Sequence, residues 1–298
     1  MTLKTIKILG SLLLLMVSTR PVYAGNRIPI TVSILPQKYF VQQIGRERVA
    51  VQVMVSPGAN PATYEPKPLQ MASLAKTRIY FAIGVFFEKI WLPKFAAANP
   101  QMDIVHTERG IDKIPMTTHF DPAAHLQARQ SSTDTTAGLD PHIWLAPPLV
   151  KRQAHSIFEA LAGIDPVHEG TYAANYRNFI ARIDALHADL SRTFAGKQGL
   201  RFMVFHPAWG YFARTYGLVQ VPIELAGKSP KPAQLKKLVK FARHENIKVI
   251  FIQPQFSARS ARLIAGEIGG QVVVADPLAA GWMTNLQKIA GRFTAALR

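Results

Sequence analysis

Residues 165–195 read DPVHEGTYAANYRNFIARIDALHADLSRTFA. Within them Tyr172, Tyr176, Phe179, Ile180, Ile183, Leu186, Leu190 and Phe194 recur three and four apart, as on a helix with one apolar stripe. The pattern predicts an amphipathic helix of about 28 residues, roughly 42 Å long at about 1.5 Å per residue. A domain of ordinary size does not need so long a helix for itself. The stretch therefore reads as a rigid strut joining two lobes.

On both sides of it, short β-branched runs alternate with helical patterns. Upstream, strands are expected at 28–35, 49–55, 79–83 and 102–106, with helices between them at 39–45, 67–76 and 85–97. Downstream, strands at 201–205, 219–225, 247–253 and 271–275 alternate with helices at 207–216, 232–245, 257–268 and 282–297. Such alternation argues βαβ units and parallel sheets. The fold class is α/β, with two (β/α) lobes joined by the long helix. The expected division is a leader over 1–24, an N-terminal lobe over 25–163, the linking helix over 164–196 and a C-terminal lobe over 197–298. Only between 110 and 139 does the pattern fail. That run is rich in Thr and Ser, carries His119 and His125, and reads as a long mobile loop.

The first residues look like an export signal. Lys4 and Lys7 precede an apolar core over 8–17, and Val22-Tyr23-Ala24 sets a cut before Gly25. A core of about 10 residues is too short to span a bilayer as a helix of about 20. The mature chain is therefore expected to be soluble and outside the cytoplasm, and the expected state is a monomer in the periplasm. There is no cysteine, which excludes disulfides, thiolate metal sites and a cysteine-borne lipid anchor. The formal charge is +17, and removing Lys4, Lys7 and Arg20 with the leader leaves +14. Basic residues are dense only from Lys228 to Lys248, with Lys231, Lys236, Lys237, Lys240 and Arg243 on one helix face. No aromatic residues are interleaved there as base-stacking platforms, so nucleic acid is not expected as a partner.

Ligands of parallel α/β sheets bind beyond the carboxyl ends of the strands. His206 follows the strand at 201–205 and precedes Pro207; Asp276 follows the strand at 271–275 and precedes Pro277. His142 follows Asp140-Pro141 where the polar run gives way to a helix opened by Pro147-Pro148. Proline stiffens each position. Two imidazoles and a carboxylate suit a borderline divalent cation such as zinc.

At this point the chain resembles the metal-binding substrate-binding proteins of ABC importers for zinc and manganese, of the periplasmic zinc-uptake type. The run from Gly138 to Leu145 is similar to that family's Asp-Pro-His-x-Trp signature, whose His is a ligand. His206-Pro207-Ala208-Trp209-Gly210-Tyr211-Phe212 resembles its second His motif, and Asp276-Pro277-Leu278 its carboxylate motif. Pro57 to Pro66 resembles the first-ligand loop, and Gly227-Lys228-Ser229-Pro230 and Gln253 to Ser257 also look familial. The resemblance covers the mature chain in order. It implies a metal held between the lobes by His142, His206 and Asp276, and delivery to an inner-membrane ABC permease with its ATPase.

One departure stands out. Where the family's first loop carries a His ligand, this chain has Ala62. The vacancy is left to water, to His119 or His125 from the polar loop, or to Glu65 or another nearby oxygen. In zinc members that loop is longer and thought to gather metal; His119, Asp121, His125 and Asp134 make a thin version of it. Imidazole at 206 tilts the choice from Mn2+ towards Zn2+. The alternatives are manganese or iron on the same fold, a member that has lost metal binding, or a zinc-dependent hydrolase. Against the last, no His-Glu-x-x-His occurs, and the chain is not expected to be an enzyme.

Overall fold

The computed structural model describes residues 27–117, 138–224 and 228–296. The leader, His119, His125 and most of the predicted loop fall outside these residues.

The first lobe runs β1 (Ile28–Val32), α1 (Leu35–Gly45), β2 (Val49–Val53), α2 (Pro68–Leu74), β3 (Ile79–Ala82), α3 (Glu88–Ala98) and β4 (Asp103–His106). Then come α4 (Pro147–Ile164) and the long α5 (Glu169–Thr193). The second lobe runs β5 (Arg201–Val204), α6 (Gly210–Thr215), β6 (Val219–Pro222), α7 (Pro232–His244), β7 (Val249–Ile252), α8 (Arg259–Glu267), β8 (Gln271–Val274) and α9 (Trp282–Ala296). Each lobe holds one parallel four-stranded sheet, ordered β2-β1-β3-β4 and β6-β5-β7-β8. The two halves thus repeat one topology without repeating sequence.

Alternation within a strand sorts apolar from polar contacts. In β1, Ile30 and Val32 enter the core, while Thr31 bonds Thr77 (2.7 Å) and Gln52 (2.8 Å). The linking helix is 25 residues long, a little shorter than its periodicity predicts, because Pro166–His168 form a 3₁₀ turn before it. It is no bare strut. Phe179 packs on Phe40 of the first lobe, and Phe194 beyond its end on Phe212 of the second. One apolar core consequently runs through both lobes, and a second core lies only beneath α7 and α8.

Two tryptophans bind the lobes together. The Trp144 indole N–H donates to the carbonyl of Pro277 (2.8 Å), and that of Trp282 to the carbonyl of Trp144 (2.6 Å). Trp282 also meets Phe40 edge to face, so the closing helix α9 seats itself against the first lobe.

Helix α3 starts three residues later than expected, because Val85–Phe87 belong to a turn held by Glu88. The Glu88 carboxylate accepts the N–H groups of Ile83 (3.0 Å) and Gly84 (2.7 Å) and the Ser33 hydroxyl (2.5 Å). Gly84 lies at φ +83°, where a side chain is strained. Burial pushes the Glu88 carboxyl up to about 7, against those hydrogen bonds and with a smaller push from Glu108. A pKa raised on folding means the native state binds this proton more tightly than the unfolded chain. Its contribution to stability is then greatest in acid and is lost as pH climbs from 4.5 through about 7. Urea unfolding across that range should show a loss on the order of 3 kcal/mol in the parent protein. Glu88→Gln should flatten the trend; equal slopes in the two proteins would refute the assignment.

Candidate metal centre

His142 stands at the mouth of the 3₁₀ turn Ile143–Leu145 and is buried. Asp140, two residues earlier and also buried, accepts its backbone N–H (2.8 Å) and contacts its ring Nδ1 (2.7 Å) through the same Oδ1. His206 stands beyond the end of β5, and its Nδ1 is 2.7 Å from Oε1 of Glu224, which is 3% exposed. A carboxylate can only accept, so each ring carries a proton on Nδ1 and turns its Nε2 outward. The two Nε2 atoms face each other at 3.4 Å.

That separation is a test of fit. Two imidazoles on one tetrahedral zinc, with Zn–N near 2.0–2.1 Å, place their nitrogens about 3.3 Å apart. Two facing lone pairs repel unless a cation or a proton sits between them. Burial holds the His206 pKa below its ordinary value, despite the opposing Glu224 hydrogen bond, which favours the neutral ring a metal requires.

The frame around the pair is stiff. Gln253 clamps the backbone of His206 at both ends, accepting its N–H (3.2 Å) and donating to its carbonyl (2.6 Å). The His206 ring stacks on Phe256 at 4.7 Å between centroids. Across the seam, the Tyr211 hydroxyl accepts the Ile114 N–H (3.1 Å) and donates to the Asp140 carbonyl (2.9 Å). Gly210 permits this approach: a Cβ there would stand 2.8 Å from Oδ2 of Asp140. The second lobe thereby positions the carboxylate that orients the first lobe's histidine.

Asp276 is placed differently. Its Oδ1 accepts the Leu278 N–H (2.9 Å) and the Gln255 amide (3.2 Å). It lines an adjoining cavity with Ser56, Pro57 and Gly58, whereas both histidines line a pocket with Asn60, Pro61, Ala62, Phe86 and Phe256. Gln255 and Leu278 border both spaces. Among the described residues no group of three or more His, Asp or Glu is gathered closely enough to hold a metal. Two of the three expected ligands therefore meet, and the third is one amide side chain away. Glu65 is exposed and is not part of the pocket wall, while Ala62 is. His119 and His125 lie outside the described residues.

Sequence reading missed Glu224, Asn60 and Gln255. Glu224 carried one usable signal, an acid two residues past the end of β6. Asn60 and Gln255 lie within stretches that resemble family motifs, but their residue type assigned them no role, because an amide beside proline is an ordinary turn residue.

Comparison with known proteins shows the family of the chain. The family model for the periplasmic zinc-uptake complex component A matches residues 30–295. The high-affinity zinc uptake system protein ZnuA of Bacillus subtilis (strain 168) is 28% identical over 261 residues, covering 85% of this chain and 79% of that protein. A crystal structure of ZnuA superposes with a TM-score of 0.83 at 40% identity, covering 92% of this chain and all of the other. A ZnuA deletion mutant with zinc bound gives 0.82 at 41% identity, covering 91% and 98%. The chain therefore belongs to the ZnuA family of periplasmic zinc-uptake proteins.

Proposed function

We propose that this protein is the extracytoplasmic substrate-binding component of an ABC importer, capturing Zn2+ and handing it to a membrane permease with its ATPase. The carrying observation is the pair of Nε2 atoms 3.4 Å apart, each ring backed by its own buried carboxylate. This donor set favours zinc over manganese, because imidazole is softer than carboxylate oxygen. The leader over 1–24 and residence in the periplasm as a monomer belong to the same reading.

In this proposal His142 comes from the first lobe, and His206 and Asp276 from the second. Asp276 joins when the divalent charge outbids Gln255 for its Oδ1, freeing the Gln255 amide. The position vacated at Ala62 falls to water or to an amide oxygen of Asn60 or Gln255, the polar groups that border the pocket. His119 and His125 remain candidates from the loop. A hydrolase reading gains no support, since Glu65, an acid that could serve a hydrolase as general base, is exposed and is not part of the pocket wall.

Three measurements bear on the site. In competition titration, His206→Ala should weaken zinc binding by more than the roughly 10- to 100-fold that loss of an outer-shell partner costs. Unchanged affinity would remove His206 from the ligand set. Ala62→His should instead tighten binding, by about tenfold if it restores a nitrogen to a tetrahedral site. A neutral result would mean that the fourth position lies elsewhere. Tyr211→Phe deletes one hydroxyl outside the proposed ligand set and should still cost about tenfold, because Asp140 loses its cross-lobe anchor. Proton-coupled nitrogen spectra of His142 should then show a mixture of tautomers.

A further inference from the structure

The metal site leaves one large feature of the chain unexplained. The lobe over 197–298 holds fifteen Lys and Arg against four Asp and Glu, whereas residues 25–163 hold fourteen against ten. From 228 to 262 there are nine basic residues and one acid, Glu245, which is engaged by Arg201 at 2.8 Å.

These basic residues share one wall. Helices α7 and α8 pack side by side on one face of the second sheet, over a core of their own that includes Phe205, Leu238, Phe241 and Ile264. Their outer faces therefore take no part in the core that unites the lobes. Lys236, Lys237, Lys240 and Arg243 are exposed along α7, and Arg259 and Arg262 along α8. Glu267, bonded to Arg243 at 3.2 Å, is the one acid on the two helices. Leu263, beside Arg262, is 54% exposed.

The fold does not require this wall. Like charges three and four apart on a helix, such as Lys236 and Lys240, disfavour it. Nor does the wall serve metal capture, because a positive surface repels a divalent cation. It suits a partner that is itself an extended anion. Lysine predominates on α7, and its compact ammonium fits a diffuse field of headgroups better than it fits two-pronged recognition of a single phosphate. No aromatic side chain is interleaved for base stacking, and an exposed leucine among cations is what a membrane-surface helix presents to the headgroup boundary.

We propose that the outer wall formed by α7 and α8 docks reversibly on an anionic phospholipid bilayer. Such contact would hold the protein on the membrane that contains its permease and turn its search into a two-dimensional one. The inference does not depend on zinc binding.

Flotation of the mature protein with phosphatidylcholine vesicles, with and without phosphatidylglycerol, tests it. Binding should require phosphatidylglycerol at low salt and collapse as the Debye length falls from about 10 Å at ~0.1 M to about 3 Å at ~1 M. The triple variant Lys236→Glu, Lys237→Glu, Lys240→Glu should lose more than about tenfold in partitioning, with its thermal unfolding and zinc titration unchanged. A control reversing Lys67, Lys76 and Lys94 on the first lobe should bind like the parent. Three results would overturn the proposal: no binding to anionic vesicles at low salt, equal losses in the two triple variants, or tighter binding to a polyglutamate peptide than to vesicles, which would indicate an acidic protein partner.

Discussion

Two imidazoles facing each other through their Nε2 atoms across a gap of 3.4 Å are an arrangement that must be imposed. Each ring is pinned through its other nitrogen to a buried carboxylate, so neither can rotate away without stranding an acid in an apolar setting. The carboxylates are in turn held by the fold. Asp140 lies against Gly210 and has its carbonyl bonded by Tyr211, both from the opposite lobe, and Glu224 is buried just beyond the end of β6. The geometry of the pair thus depends on the docking of the lobes, and on the Trp144 and Trp282 hydrogen bonds that secure it.

This dependence gives the linking helix its meaning. A helix that merely spanned two lobes would allow them to hinge. Here α5 contributes Phe179 to aromatic packing on the first lobe, and the chain just past its end contributes Phe194 to packing on the second. Wide opening would expose these rings to water, at roughly 1.5–3 kcal/mol for each large side chain uncovered. Small rearrangements within the site, such as movement of Gln255 relative to Asp276, cost far less. Capture and release are then tasks for side chains and loops more than for lobes.

The charge of the molecule is divided along the same line. The first lobe is nearly balanced, and the excess of cations sits on the second, with six of its fifteen basic residues on helices whose inner faces enclose a private core. A surface independent of the lobe seam can respond to an outside partner without disturbing the histidine pair.

Residue pattern alone determined the alternation of strands and helices, the parallel character of both sheets, the long helix and the two histidine positions. These follow from periodicity and from proline, which act over a few neighbours and need no partner. Helix starts were less legible. The first turn of α3 gave way to a loop because Glu88, five residues from Ile83, binds the amides of Ile83 and Gly84 and holds the intervening chain in a turn. Tertiary structure alone decided that Asp276 bonds Gln255 and Leu278 rather than facing the histidines, that Glu224 supports His206, and that Tyr211 secures Asp140 from the other lobe. Asp140 and Tyr211 are 71 residues apart in the chain, and Asp276 and Gln255 are 21 apart. Which donors meet over such separations is set by how two sheets and their helices pack, and no local pattern encodes that.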